Sequence, residues 1–344
     1  MAGESRDVTA GGARIAPGER ANLRLSLGTR PDGSPLGIPL MVVNGARPGP
    51  RLGITTGIHG DEFEGAEGLR RFLSRVDPAE LRGRIIATPQ ANPPAFERFA
   101  RTGDVDQLDL NRSFPGNPEG FLTHRIADLL VTEIVDKVDY LIDLHGGGMA
   151  YDLLPYVGFN SAPGEVGEAS LALARAFGIE HLYASTPFPN VMRLEAAKRG
   201  IPAILVEAGG NGRLDGTAVA AVDSGLWNVA EHLDMVDAMP RVRRQRFCVV
   251  KAPPDGEFAH APTGGFLLSS VFAGQHVNRG QLLGTLVDVF GAELARIESA
   301  IDGIVVEYRT VPVTRTGDWS FAVLEIVTEV GQDTRLADIA GKLE

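Results

Sequence analysis

The chain has 344 residues, 22% charged and 44% hydrophobic, a balance ordinary for a soluble globular protein with a buried core and roughly two domains. Its formal net charge of −11 argues against a general nucleic-acid role and against anionic membrane surfaces. The single cysteine, Cys248, forms no intrachain disulfide, the start Met1-Ala2-Gly3-Glu4-Ser5-Arg6-Asp7 has no apolar stretch, and no run approaches the ~18 apolar residues of a membrane span, so the expected setting is cytoplasmic.

Residues 1–20 are polar and glycine-rich and are expected to fray. Strand-like runs follow at 23–27 and 38–43. Strands and helices then alternate: strand 51–57, helix 62–76, strand 84–89, helix 119–136, strand 138–145, helix 165–177, strand 202–207, helix 217–237. This alternation predicts an α/β layered fold around a largely parallel or mixed sheet. Pro93-Pro94 and Pro115-Gly116-Asn117-Pro118 interrupt it and leave an irregular stretch, 90–118, of the length that usually carries function. After the basic run 241–246, helical periodicity stops. Short β-like runs at 265–271, 281–287, 303–308 and 321–326 are punctuated by Gly, Asn and Asp. The division this predicts is a catalytic domain over 1–240, a smaller all-β domain over 245–330 and a tail with a short helix over 331–344.

Three residues stand at the ends of strand-like runs. His59 and Glu62 lie in Gly57-Ile58-His59-Gly60-Asp61-Glu62, and His145 closes Tyr140-Leu141-Ile142-Asp143-Leu144-His145 before three glycines. Taken singly, His59 reads as a loop histidine and Glu62 as a carboxylate at a helix start. Together, two imidazoles and a carboxylate at the carboxyl edge of a sheet match a three-ligand zinc site whose fourth position stays open for a reacting water. Glu207 ends a third apolar run, Ile201-Pro202-Ala203-Ile204-Leu205-Val206-Glu207. Partial burial there raises a carboxylate's pKa toward the range of a general base; its bland alternative is an ion pair with Arg213 or Arg193. Within the irregular stretch, Asn111 and Arg112 offer an amide and a planar fork of donors suited to a carboxylate. Upstream, Arg98 or Arg101 is placed to point a guanidinium at the metal, with Arg98 reading better as an exposed helix residue.

In order along the chain, Gly-x-His-Gly-Asp-Glu, Asn-Pro, Asp-Leu-Asn-Arg-Ser-Phe-Pro-Gly, Asp-Leu-His and Val-Glu-x-Gly-Gly resemble the motifs of the succinylglutamate desuccinylase/aspartoacylase family, which belongs with the zinc carboxypeptidase-like hydrolases. The match spans most of residues 40–212. The resemblance implies a three-layer α/β/α catalytic domain with a mixed sheet. It also implies one zinc per chain held by His59, Glu62 and His145, a catalytic Glu207, a substrate clamp at Asn111 and Arg112, and Arg101 as the transition-state arginine. The N-terminal extension, Ile38-Pro39-Leu40, Arg193-Leu194 and the β-rich end are similar to a bacterial branch of N-acyl amino acid deacylases such as acetyl-diaminobutyrate deacetylase. The segment 261–305 looks loosely like a biotinyl/lipoyl β-sandwich, but the turn Ser299-Ala300-Ile301-Asp302-Gly303 has no lysine for a swinging arm.

The expected activity is hydrolysis of the amide of a small N-acylated amino acid, releasing a carboxylate and a free amine. Rival readings are a metallocarboxypeptidase acting on a short peptide and, from another class, a non-catalytic metal-binding scaffold. The expected partner is the small-molecule substrate, with neither nucleic acid nor membrane; the sequence fixes no subunit number and leaves a homo-oligomer open.

Overall fold

A computed structural model describes residues 7–186, 188–238, 243–253 and 258–343. Part of the start expected to fray, residues 1–6, and positions 241–242 of the basic run lie outside the described residues. From Val8 on, that expectation is overturned. Strands β1 (Val8–Ala10) and β2 (Ala13–Ile15) pair antiparallel and bury Val8, Ala10 and Ile15. Gly11 and Gly12, both at positive φ, make the tight turn between them, so the glycines mark a hairpin rather than a loose end.

The next strands are β3 (Glu19–Thr29), β4 (Pro35–Asn44), β5 (Arg47–Thr56), β6 (Arg82–Thr88), β7 (Tyr140–His145), β8 (Tyr151–Leu153), β9 (Tyr156–Asn160), β10 (His181–Ser185), β11 (Ala203–Glu207) and β12 (Arg246–Lys251). All of these except β8 stand across the main sheet in the order β12-β10-β9-β11-β7-β5-β6-β4-β3. The pairs β5–β6, β5–β7, β7–β11, β9–β10 and β10–β12 are parallel, and β3–β4, β4–β6 and β9–β11 antiparallel, so the sheet is mixed.

The helices are α1 (Glu64–Arg75), α2 (Pro93–Arg98), α3 (Leu122–Glu133), α4 (Glu165–Phe177), α5 (Met192–Lys198), α6 (Gly216–His232) and α7 (Leu336–Leu343). One face of the sheet buries Leu52, Ile54, Ile142 and Leu144 against Leu69 and Phe72 of α1, Leu171 of α4 and Leu226 of α6. The other buries Ile38, Leu40 and Leu141 against Ile126 and Leu130 of α3 and Met192 of α5. Leu141 and Ile142 go to opposite cores because successive strand residues point to opposite faces. The outcome is the three-layer α/β/α arrangement. Helices α1 and α6 approach closely at Gly68, where an added Cβ would lie 2.5 Å from Val222 Cγ1. Gly68→Ala is therefore expected to destabilise the protein by about 1–3 kcal/mol through overpacking, despite alanine's better helix propensity, as read by the midpoint of urea unfolding.

Helix α1 starts at Glu64, not at Glu62, which leaves Glu62 in the turn that follows β5. The stretch 90–118 is less irregular than its prolines suggested. Pro93 and Pro94 sit in the first turn of α2, where a missing N–H costs nothing, and the Asn92 side chain accepts from Ala95 N. Strands β9 and β10 and helix α5 have no counterpart among the predicted elements. All five residues of β9 are buried, so it lacks the alternation that betrays a half-exposed strand, and α5 is only seven residues long.

The C-terminal strands are β13 (Phe258–His260), β14 (Gly265–Ser269), β15 (His276–Val277), β16 (Leu282–Val287), β17 (Glu293–Glu298), β18 (Gly303–Arg309), β19 (Val313–Thr314) and β20 (Trp319–Gly331). A four-stranded antiparallel sheet, β17-β16-β14-β19, covers a separate core that includes Leu267, Leu283, Leu286 and Phe321. Strand β20 serves both parts of the molecule. Its last residues pair with β12 at the edge of the main sheet, and Phe321 to Leu324 pair with β18. Strand β8, which follows His145 closely, also pairs with β18. This β region thus reaches the ends of β7 and β11. Among the described residues no helix is long and apolar enough to cross a membrane.

Candidate active site

Strands β5, β7 and β11 are parallel neighbours, so their carboxyl ends deliver side chains to one place. His59 and Glu62 leave the end of β5, His145 ends β7, and Glu207 ends β11 directly opposite His145 in the strand register. His59, Glu62 and His145 are buried together, with one ligand-type atom from each within 4.8 Å of the others. His59 Nδ1 lies 2.6 Å from Glu62 Oε1, His145 Nδ1 lies 2.9 Å from Glu62 Oε2, and the two Nδ1 atoms are 3.3 Å apart. Burial raises the Glu62 pKa, but the two imidazoles outweigh it and hold the group at about 2. Burial also disfavours the charged form of His145, yet Asp143 and Glu62 push its pKa well above the ordinary histidine value.

Two carboxylates that sequence reasoning left without a role stand behind the imidazoles. Asp109 Oδ1 is 3.3 Å from His59 Nε2, and Asp143 Oδ2 is 3.1 Å from His145 Nε2. A carboxylate hydrogen-bonded at Nε2, as for His59, keeps the proton on that nitrogen and turns the Nδ1 lone pair inward, the tautomer a metal ligand needs; His145 Nε2 is within ion-pair distance of Asp143 but forms no hydrogen bond among the described residues. The inner spacing also suits an ion. Tetrahedral ligands at ~2.0–2.1 Å from zinc stand roughly 3.3 Å apart, the separation of the two Nδ1 atoms. Glu62 Oε2 is buried with no hydrogen bond among the described residues. The donor set therefore fits a divalent metal such as zinc. Asp109 and Asp143 were legible only as parts of the motifs Asp-Leu-Asn-Arg and Asp-Leu-His, since their partners are distant in sequence or set by strand geometry.

Asp109 does more than face His59. Its Oδ2 accepts from Arg101 Nε at 3.0 Å and Nη2 at 2.9 Å, and its Oδ1 accepts from Asn111 N at 2.8 Å. Burial pushes the carboxyl up, but His59 and Arg101 overcome this and hold it far below the usual range. Asp109→Asn is expected to lower metal affinity by about 10–100-fold, measured by competition with a chromogenic chelator.

Arg101 lines the cavity, with its guanidinium also 5.7 Å from the Trp319 ring, whereas Arg98 is exposed on α2 and does not line it. Asn111 and Arg112 line the same cavity. Asn111 Oδ1 is buried with no hydrogen bond among the described residues, and Arg112 donates to Asn111 O at 2.7 Å while lying over Phe188. Arg193 of α5 joins them from beneath. It is only 5% exposed; Nη2 donates to Ser185 Oγ at 3.4 Å, and Nη1 is buried with no partner among the described residues. Burial depresses its pKa. A half-satisfied buried guanidinium in a cavity wall is a seat for an anion. The sequence singled out Arg193 only as an ion-pair alternative for Glu207 and as part of the resemblance, not as a seat for an anion.

The Glu207 carboxylate forms no ion pair or hydrogen bond among the described residues; Arg213 faces Asp215 instead, at 3.7 Å. Burial pushes its carboxyl well above the ordinary range, His145 opposes this, and the charges of Glu62 and Glu307 add to it. The His59–Glu62–His145 cluster, Glu207, Asn111 and the three arginines 101, 112 and 193 open on one cavity of ≈ 270 Å³, whose wall also carries Phe258, Glu307 and Trp319 from the C-terminal strands. That space suits a small molecule.

Fold and site together define an α/β/α hydrolase type with a histidine–glutamate–histidine cluster and a separate acid at the carboxyl edge of its sheet. Residues 48–233 match the model of the succinylglutamate desuccinylase/aspartoacylase catalytic domain, and the chain belongs to that family. The chain is 29% identical over 299 residues to N-alpha-acetyl-L-2,4-diaminobutyric acid deacetylase of Halomonas elongata, covering 86% of this chain and 87% of that protein. Among solved structures, a succinylglutamate desuccinylase/aspartoacylase from Rhodobacter sphaeroides superimposes with a TM-score of 0.81 at 28% identity, over 90% of this chain and 96% of that one. The product-bound ectoine utilization protein EutE (DoeB) from Ruegeria pomeroyi gives 0.83 at 25% identity, over 89% and 95%.

Proposed function

We propose that the protein is a zinc-dependent deacylase that hydrolyses the amide of a small N-acyl amino acid. The observation that carries this reading is the cluster of His59, Glu62 and His145 in one small cavity with an unpaired Glu207 opposite His145. Zinc held by His59 Nδ1, Glu62 and His145 Nδ1 would supply Lewis acidity toward the acyl carbonyl and the attacking water. Glu207 takes the proton from that water and returns it to the leaving nitrogen, a task suited to a carboxylate whose pKa is raised. Arg101, fixed by Asp109, turns its charge toward the developing oxyanion. Asn111 and Arg112, with Arg193, hold a substrate carboxylate and orient the amide. The catalytic unit is proposed to occupy 1–240, with the β region of 245–330 closing the cavity's outer side and 331–344 as a tail.

The deacetylase relative supports an acylated amino acid as the substrate. Peptidase action is disfavoured by the cavity's size and by the wall that Phe258, Glu307 and Trp319 raise across it. A panel of N-acetyl and N-succinyl amino acids beside N-blocked dipeptides tests this. Turnover confined to the acyl amino acids is expected; faster cleavage of the peptides would overturn the proposal.

A further inference from the structure

Arg101 reaches the cavity from a stretch of turns and bends. Helix α2 ends at Arg98, and the next element is the short 3-10 turn Leu110–Arg112. The side chain is partly exposed, and no helix or strand of its own fixes it. Asp109 holds one edge of the guanidinium, accepting from Nε and Nη2 on a single oxygen, Oδ2. Nη1 makes no hydrogen bond among the described residues. One acceptor atom at one edge sets where the group sits but leaves its plane able to tilt. A donor serves an oxyanion only when it is aimed in advance at the place where charge develops.

The second support comes from the far end of the chain. Trp319, the first residue of β20, presents its ring to the guanidinium, with Arg101 Cζ 5.7 Å from the ring centroid. That is within reach of a cation–π attraction, and guanidinium groups stack on aromatic faces. The indole is itself held. Phe258 of β13 stacks on it, with centroids 4.3 Å apart and planes at 7°. Strand β13 pairs with β20 so that His260 stands opposite Trp319, and two residues on Phe321 stands opposite Tyr308 of β18. Trp319 O accepts from the Tyr151 hydroxyl at 3.5 Å. The ring is thus mounted on paired strands, and its face resists the tilt that Asp109 alone permits.

We propose that Trp319 is a positioning residue that holds the Arg101 guanidinium in the orientation that serves the oxyanion. The C-terminal β region then takes part in transition-state stabilisation and does more than wall the cavity. This inference rests on the deacylase reading above, in which Arg101 faces the developing negative charge. Trp319 moves no proton and acts only through the arginine. Asp109 fixes the place of the guanidinium, and the indole fixes its tilt.

The test measures Trp319→Leu and Trp319→Phe, each with Arg101 intact and with Arg101→Gln, on whichever N-acetyl or N-succinyl amino acid the wild type turns over fastest. Trp319→Leu should retain metal and lower kcat by about 10–100-fold while KM changes less than about threefold, because a misaimed donor is felt only in the transition state. Trp319→Phe keeps an aromatic face and should recover most of that loss. With Arg101→Gln in place, Trp319→Leu should cost less than about threefold, because no guanidinium is left to aim. A phosphonate analogue of the same substrate, which mimics the tetrahedral oxyanion, should bind Trp319→Leu more weakly by the factor lost in kcat, while the free amino acid product binds as before. Trp319→Met takes the place of Trp319→Leu if the latter does not fold. Equal losses with and without Arg101, a loss confined to KM, or a Trp319→Phe as impaired as Trp319→Leu would mean that Trp319 shapes the cavity without orienting the arginine. No loss at all would mean that Asp109 suffices. Each of these overturns the inference and leaves the deacylase reading intact. Wild-type kcat in Arg101→Gln would remove the arginine's role and the inference with it. A wild type that hydrolyses no acyl amino acid overturns the deacylase reading and this inference together.

Discussion

Glu207→Gln should retain wild-type metal content and lose about 10²–10⁴-fold in kcat. Glu207 is not one of the three clustered ligand residues, so its amide leaves that cluster intact. What it loses is the proposed ability to accept a proton from water and pass it to the departing amine. KM should change far less than kcat, because the proposed seat for the substrate carboxylate, Asn111, Arg112 and Arg193, lies on other elements of the cavity wall. The pH profile carries the same signature. A base must be ionised to act, so kcat/KM of the wild type should fall as pH drops through the Glu207 pKa. Burial has raised that pKa, which places the acid limb above the ordinary carboxylate range. Wild-type-like turnover by Glu207→Gln would remove it from the mechanism.

His145→Ala should abolish both metal retention and turnover, and it should also destabilise the fold. The imidazole stands between the carboxylates of Glu62 and Asp143, whose side chains are 6% and 2% exposed. Removing it leaves two acids buried without their shared counter-group, a loss of about 3–5 kcal/mol. Urea unfolding with metal analysis separates the two consequences. Loss of metal with unchanged stability would show that the partners the two acids keep, His59 for Glu62 and Thr55 for Asp143, suffice for them. His59→Ala should lose metal as fully, while the Asp109 carboxylate keeps Arg101 and suffers less.

Much of this site was legible in sequence for a simple reason. His59, His145 and Glu207 each terminate or follow a strand whose apolar run is easy to see, and parallel strands bring such ends together. The alternation of elements gave the layered fold on the same ground. Residues supporting the site were harder. Asp109 acts on His59 across fifty positions, and Asp143 looks like an ordinary member of β7 until its contact with His145 is known. Arg193 lies on a seven-residue helix too short for a periodic signal. The glycine-rich start read as loose because composition does not reveal that Gly11 and Gly12 make a hairpin turn.

One zinc held by His59, Glu62 and His145 is proposed to make this chain a deacylase. Elemental analysis of the purified protein, combined with acetyl release from Nα-acetyl-L-2,4-diaminobutyrate before stripping, after chelation and after re-addition of zinc, tests it most directly. The expected result is one zinc per chain, with activity lost on chelation and regained as zinc approaches one equivalent. Deacylation that persists in metal-free protein would contradict it.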